Sequence, residues 1–595
     1  MRGVVALAFL AGVLGAQTTA PDAKCTIRGV VRDTNGLPVS GITVEAILGV
    51  EPRTIVMGNG ISGRMSGRTV NSATDDGGKY ALTGLDPGSY FLRTERDPDN
   101  GAFKRVKLDA GQEVALDFVV PANAVISGRV LGPDGAPQVD AFVWLLKPEY
   151  ELGVLKQIVV GPKITNEDGV YSFDSGLEPN RRYYLFADRD QPKGLNTDQR
   201  EPIDVPTYYP SASRMDSVTP VILRPGETRQ KADIKIATAP YYCIAGKIEG
   251  SPDFEIRESS LAGTRLVRLR GSAGEHGRYH VCGLSPGEYR LSTEQASTEF
   301  TVLSSDLEHV DLSTELARLR VKVDWDDPSS APTVPKLTSR AETTLRELAA
   351  TLGMTEPSDD DLVHLAARLA WPDPKDTALL DALGRNQDSN FDGEMGYLRG
   401  LLSVSNFLLH LTLTGASGNG VRGISLAVPS DVAIGDGLAS GDYALEFVVL
   451  GQVTTYPKEI TYNDAKLSDR TLRIAPGASG TLHLVMGTDV STVAVSIKDA
   501  LENPVSGAAV VLIPESVTAA PALARLAVHG NADQNGKYTS PPLAPGKYRV
   551  LATTQSVRWG VPEDLEKVLL AMYQAKDLDV APKSAAQITV EPVVI

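Results

Sequence analysis

The spacing with the most chemistry in it is Asp388-Ser389-Asn390-Phe391-Asp392-Gly393-Glu394. Oxygen donors at alternate positions ahead of a glycine resemble the first half of a helix–loop–helix calcium loop. There, positions 1, 3 and 5 ligate the ion and position 6 turns the chain. Position 12 is Arg399 rather than the bidentate Glu such a loop demands, so the shell is short of oxygens and a cation stands beside the ion. Two readings stay open: calcium at Asp388, Asn390 and Asp392, or a polar turn between helices. No other cofactor is expected.

The three cysteines are too few for a disulfide scaffold. Cys243 and Cys282 fall in one stretch of repeat and are either a disulfide pair, in an oxidising compartment, or two buried thiols. Cys25 is left over. The seven histidines make no HExxH or similar zinc spacing, and His276 and His280 fall at a turn and strand. His410 and His483 sit among apolar strand residues and are expected in the core. The sequence has no GxSxG elbow, no Walker loop and no dinucleotide fingerprint. Aromatics are sparse at 6%; Trp144 and Trp325 lie in strand-like runs and are expected in the core, whereas Trp371 and Trp559 adjoin Pro and Gly. The expected protein is not an enzyme.

These residues are carried by a repeat. It opens with Ile27-Arg28-Gly29-Val30-Val31, Ile126-Ser127-Gly128-Arg129-Val130, Ile244-Ala245-Gly246-Lys247-Ile248 and Val493 to Ile497. A second motif follows as Gly78-Lys79-Tyr80, Gly169-Val170-Tyr171, Gly277-Arg278-Tyr279 and Gly536-Lys537-Tyr538. A third is Pro87-Gly88-Ser89-Tyr90, Pro286-Gly287-Glu288-Tyr289 and Pro545-Gly546-Lys547-Tyr548. Alternating apolar residues give strands with one buried face, and the Gly-containing turns join them into hairpins. Short strands with such punctuation predict β-sandwiches.

The combined motifs resemble the carboxypeptidase regulatory-like domain, a seven-stranded transthyretin-like sandwich grouped with starch-binding-like modules. The resemblance covers about 24–121, 122–238, 240–313 and 488–595, and implies a fold rather than an activity. The family's peptidase domain has no counterpart here. Between 316 and 487 the pattern is split. Arg318 to Trp325 opens a fourth module, and apolar residues at three- and four-residue steps over Thr343–Leu352 and Asp359–Leu369 predict helices. Ser358 is the expected N-cap of the second, and Asp376–Leu383 and Tyr397–Leu409 are further helix candidates. The expected fold is mainly β: about five tandem sandwich modules, the fourth carrying a helical insertion at about 338–408.

Residues 1–20 read as a signal peptide, with Arg2 before the apolar run Val4–Leu14 and small residues after it. The mature chain is then exported, to the periplasm, the cell surface or the medium, with no membrane span. A total of 58 Lys and Arg against 74 Asp and Glu leaves −16, spread along the chain, which disfavours nucleic acid as a partner. The expected role is noncatalytic: tandem sandwiches forming a semi-rigid rod that binds a protein or glycan at the cell envelope. Carbohydrate binding through starch-binding-like modules is one alternative, and service in a secreted hydrolase or receptor system another.

Overall fold

The computed structural model describes residues 24–595 except 49–53, 57–61, 65–68, 95–103, 121, 123, 152, 189–200, 250–252, 262–263, 265, 294–295, 313–315, 331–338, 371–378, 380–407, 416–420, 428–429, 434–437 and 451–454. The signal-peptide segment, Trp371, the calcium-type loop and nearly all of the last two helix candidates lie outside the described residues. The rest is predominantly β, with sheets that pair face to face over separate apolar cores. By its contacts the chain divides into two compact units, one drawn from 1–52, 66–96 and 105–120, the other from the remainder.

In the first unit the strand Cys25–Asp33 alternates buried and exposed residues, and its inward set includes Ile27 and Val31. It pairs antiparallel with Lys79–Leu85 and parallel with Glu113–Ala115 and Phe118–Val120. The facing sheet runs Thr69–Ala73, Thr43–Leu48, Gly88–Thr94, Lys104–Leu108, and Val44, Leu92 and Val106 complete the core between them. The turns are held by side chains as well as by glycine. Asp75 Oδ1 accepts from the backbone N–H groups of Gly77 at 2.9 Å and Lys79 at 2.8 Å, an Asx turn that steers the chain into the Tyr80 strand.

In the second unit the same topology recurs. Val125–Leu131 lies antiparallel to Val170–Phe173 and parallel to Thr228–Arg229 and Ile234–Lys235. Tyr242–Lys247 lies antiparallel to Arg278–Leu284, with parallel bridges from Ile244 to Leu307 and Ile248 to Leu312. Thr492–Ile497 lies between antiparallel Lys537–Thr539 and parallel Ala585–Val590. Arg318–Trp325 runs parallel to Ser479–Gly487 over eight paired residues. Each opening strand is thus closed by the last strand of its own stretch, as a sandwich of contiguous chain requires.

One crossing explains two of the repeated motifs together. A Cβ on Gly29 would lie 1.8 Å from the Leu116 carbonyl oxygen, on Gly128 2.3 Å from that of Ala232, and on Gly246 2.3 Å from that of Val310. Only glycine lets the closing segment pass this close. The same carbonyls take the tyrosine hydroxyls: Tyr80 to Leu116 at 2.6 Å, Tyr279 to Val310 at 2.6 Å, and Tyr171 to Ala232. The next residue along, Asp117, Asp233 or Asp311, accepts the backbone N–H of Val30, Arg129 or Lys247 at 2.8, 2.9 and 2.8 Å. The Pro-Gly-x-Tyr tyrosines work locally: Tyr90, Tyr289 and Tyr548 donate to the carbonyls of Asp86, Ser285 and Ala544, four residues back. Tyr443 does the same to Ala439.

The first two expected helices stand where the spacing puts them. α1 (Ser339–Thr351) and α2 (Asp359–Ala370) bury Leu345, Leu348, Leu362 and Leu369. Ser358 caps α2 reciprocally: its Oγ accepts the Asp361 N–H at 3.2 Å, and Asp361 Oδ2 accepts the Ser358 N–H at 2.9 Å. Two further helices, α3 (Ala520–Leu526) and α4 (Pro562–Ala571), sit in the last stretch.

Candidate functional site

Two places in the second unit gather side chains that the sandwich cores do not need. The first is the outward face of the strand Phe142–Glu151. Strand parity sends Val143 and Leu145 into the core, and Phe142 and Trp144 to the other side. Across the ladder Trp144 is opposite Phe186 and Phe142 opposite Asp188. Trp144 is therefore not a residue of its own sandwich core, as the sequence led us to expect; it is half-buried against a second cluster of Leu146, Phe186, Tyr208 and Leu261. An apolar run without alternation signals a strand covered on both faces, and Phe142 to Leu146 is such a run. Trp325, by contrast, is buried in the core of its own sheet pair.

Leu261 comes from the next sheet pair, whose Leu261, Leu266, Val267 and Leu269 lie over this face and leave a cavity of about 450 Å³. Its walls include Phe142, Trp144, Phe186 and Asp188 from the first sheet, and Glu258 and Arg268 from the next sheet pair. Glu258 accepts from the Tyr208 hydroxyl at 3.1 Å. Burial raises its carboxyl above the usual range, Arg268 and the Tyr208 bond pull it down, and the charge of Asp188 pushes it up further. Arg268 donates through Nη2 to the Gly283 carbonyl at 3.2 Å, and its Nη1 is buried with no hydrogen-bond partner among the described residues.

The second place joins residues that the sequence holds far apart. Arg182, on the strand Arg182–Asp188, reaches Glu563 through both its backbone N–H and its side chain, 381 positions away, and Glu566 at 2.9 Å; both acids are on α4. Arg558 lies just before α4 and is bound to Asp564 through Nε at 2.8 Å and Nη2 at 3.0 Å. Its Nη1 donates to the Pro179 carbonyl at 2.9 Å and approaches Glu178 at 3.4 Å. Glu178 is also held by Arg181, whose side chain is 1% exposed and donates to Glu149 and the Pro148 carbonyl. Burial pushes the Glu178 carboxyl up, and Arg181, Lys147 and Arg558 together outweigh it and hold it below its ordinary value. The Tyr150 N–H donates to the Gly560 carbonyl at 2.7 Å, which closes the contact on the backbone. An end-to-end series of sandwiches would keep 125–236 and 492–590 apart. This clasp brings them together, because α4 carries its acids to the rim where Arg181 and Arg182 begin their strand.

The remaining expected residues fall as follows. Cys243 and Cys282 stand opposite each other across two antiparallel strands and are joined as a disulfide. A ring nitrogen of His280 lies within 4.8 Å of both sulfurs, which as a disulfide offer no thiolate to a metal. Cys25 is buried, with its thiol directed at the Asp109 carbonyl. His483 is on a strand but 33% exposed, with Nε2 2.9 Å from Asp324, so it belongs to the surface of the sandwich rather than its core. Asp388, Asn390 and Asp392 lie outside the described residues. No helix among the described residues is long and apolar enough to cross a membrane.

Residues 26–121 match the family model of the carboxypeptidase regulatory-like domain. This is the stretch whose Gly29–Tyr80 crossing is described above. No curated protein matches the chain. Among solved structures, the chain is similar to the Bacillus anthracis TIE protein at 13% identity and a TM-score of 0.15, over 49% of this chain and 51% of that one, about half its length. It is similar to GBS52, the minor pilin of Streptococcus agalactiae, at 14% identity over 37% and 97%, with a TM-score of 0.22. The shaft pilin spaA of Lactobacillus rhamnosus GG aligns at 10% identity over 36% and 98%, with a TM-score of 0.19. Likeness at these scores assigns the chain no role.

Proposed function

We propose that the chain is a noncatalytic, exported binding and scaffold protein of five sandwich modules, at about 24–121, 122–238, 240–313, 316–487 and 488–595. It acts through protein or surface-polymer contacts at the cell envelope. The observation that carries this reading is the clasp between 178–182 and 558–566. Its buried charges are paired with one another across two sandwiches, which is how a chain spends ionic groups on fixing modules in place rather than on substrate. A body held in this way presents loops and inserted helices at set positions, where binding residues are carried by a rigid scaffold. The helical insertion at about 338–408 is the surface least shared with the other modules, and it is the region assigned here to partner recognition.

Capture from envelope extracts with the full chain, beside a chain lacking 338–408, tests this. The expected result is one envelope component retained by the full chain and lost by the shortened one, both melting alike outside the fourth module. Equal capture by both overturns the assignment of the insertion. Turnover of any substrate in a broad hydrolase screen of the purified chain overturns the noncatalytic reading.

A further inference from the structure

The cavity over the Phe142–Glu151 strand has a use that the sandwich does not explain. A lone sandwich exposes the outer face of its sheet, and such faces are ordinarily polar. Here that face carries Phe142, Trp144 and Phe186, and the neighbouring sheet pair covers it without filling it, leaving about 450 Å³. Pockets of this size, apolar on most of their lining with a few convergent polar groups, are the usual form of a small-molecule site.

The lining selects the chemistry of the occupant. Three aromatic side chains on one wall suit a flat face of C–H groups. Asp188, on the same sheet as the aromatics, and Glu258 and Arg268, from the next sheet pair, add two carboxyl groups and a guanidinium to the lining. An anion would meet two carboxylates, and a cation would meet the guanidinium. A hydrocarbon would strip water from Asp188, Glu258 and Arg268 and offer no hydrogen bond in return. A neutral polyol with one apolar face meets all three demands, because a hydroxyl accepts from Arg268 while another donates to a carboxylate. We propose that this cavity binds a neutral saccharide, with a pyranose face against Trp144 and Phe186 and its hydroxyls shared among Asp188, Glu258 and Arg268.

The assignment rests on the reading of the chain as a binding protein, yet can fail separately from it. The test applies the intact chain to an array of immobilised oligosaccharides of defined composition, then titrates the retained one, free in solution, into wild type, Trp144→Ala, Asp188→Asn and Arg268→Gln. The expected result is a retained neutral glycan whose affinity falls about tenfold or more in each variant, the scale of one lost charge-assisted hydrogen bond or aromatic contact. Asp188→Asn preserves shape, so its melting temperature should stay closer to wild type than that of Trp144→Ala, which loosens the cluster around Leu146. A blank array for wild type, or a glycan held equally by all three variants, overturns the saccharide assignment. If the blank array comes with intact capture of an envelope component, the binding reading stands and only this cavity loses its ligand; if both are absent, both fall.

Discussion

The crossing of Gly29 and Tyr80 beneath Leu116, and the meeting of Arg558 with Glu178 and Asp564, both fix one stretch of backbone against another by buried polar groups. They differ in what they are made of. The crossing joins strands of one sandwich, uses a missing side chain and a hydroxyl, and recurs with little change at Gly128 and Tyr171 and at Gly246 and Tyr279. The clasp joins two sandwiches, uses charges, and occurs once among the described residues. Steric necessity governs the first and charge pairing the second, so their failures should differ in size, in location and in dependence on pH.

Gly29→Ala should have the largest effect. Its Cβ would meet a backbone carbonyl oxygen at 1.8 Å and the Tyr80 ring at 2.8 Å, and neither can withdraw without opening the closing strand. We expect a loss of about 4 kcal/mol or more, in the range of severe core mutations. Calorimetry should show it as loss of the transition belonging to the 24–120 unit, with later transitions unmoved. An unchanged thermogram would mean that the closing segment shifts freely, and the shared explanation of Gly and Tyr would go with it.

Arg558→Ala comes next. It leaves Asp564, with a side chain 4% exposed, and Glu178, 16% exposed, each short of a partner. Removing one member of a buried ion pair costs about 3–5 kcal/mol, and the lower end applies because Arg181 and Lys147 still serve Glu178. The transitions of the 125–236 and 492–590 sandwiches should fall together, the reverse of the Gly29 result. Arg182→Ala, whose side chain is 30% exposed, should cost about 1 kcal/mol at most. If the two sandwiches melt as independently in wild type as in Arg558→Ala, the clasp does not couple them.

Tyr279→Phe probes the crossing without a clash. One buried hydroxyl lost from a 2.6 Å bond to Val310 should cost about 1 kcal/mol. Tyr538→Phe is the comparison that sharpens it. In the last sandwich the opening strand has Val495 opposite Tyr538 where the three crossings have glycine, and the hydroxyl turns to the His529 carbonyl at 3.2 Å. A longer bond should cost less to lose, and urea midpoints of the two variants measure the difference.

The two regions also differ in how far the sequence shows them. The glycine and the tyrosine each sit in a short contiguous motif, so the sandwiches and their hairpins could be read directly. The third member of the crossing went unread although it was present. An apolar residue followed by Asp and another apolar one recurs as Leu116-Asp117-Phe118, Ala232-Asp233-Ile234 and Val310-Asp311-Leu312. It marks where each closing strand bends over the glycine. The inserted helices were legible because three- and four-residue spacing and Ser358 act within one turn. The clasp was not, because Arg182 and Glu563 are ordinary surface residue types and only the fold makes them neighbours. Trp144 misled for a related reason: a strand apolar on both faces does not say which neighbour covers the second face.

The smallest expected effect is the pH dependence of the clasp, and it separates the two regions by a criterion other than size. Burial raises the Glu178 carboxyl while Arg181, Lys147 and Arg558 lower it, so the net depression is what remains of opposed effects, and the stability that depends on it is correspondingly limited. A carboxylate depressed in the folded state contributes fully above its unfolded value, near 4.5, and loses that contribution as pH falls through the lower folded value. Wild type should therefore exceed Glu178→Gln in stability at neutral pH, and the gap should close below about pH 4.5, as measured by urea unfolding of the two proteins across the acid range. The gap between wild type and Tyr279→Phe should stay level over the same range, since the bond it removes joins a hydroxyl to a carbonyl and neither changes charge there. A Glu178→Gln gap that persisted into acid would show that shape rather than charge holds the rim of the second sandwich against α4. The clasp would then be a packing contact like the crossing it is set against.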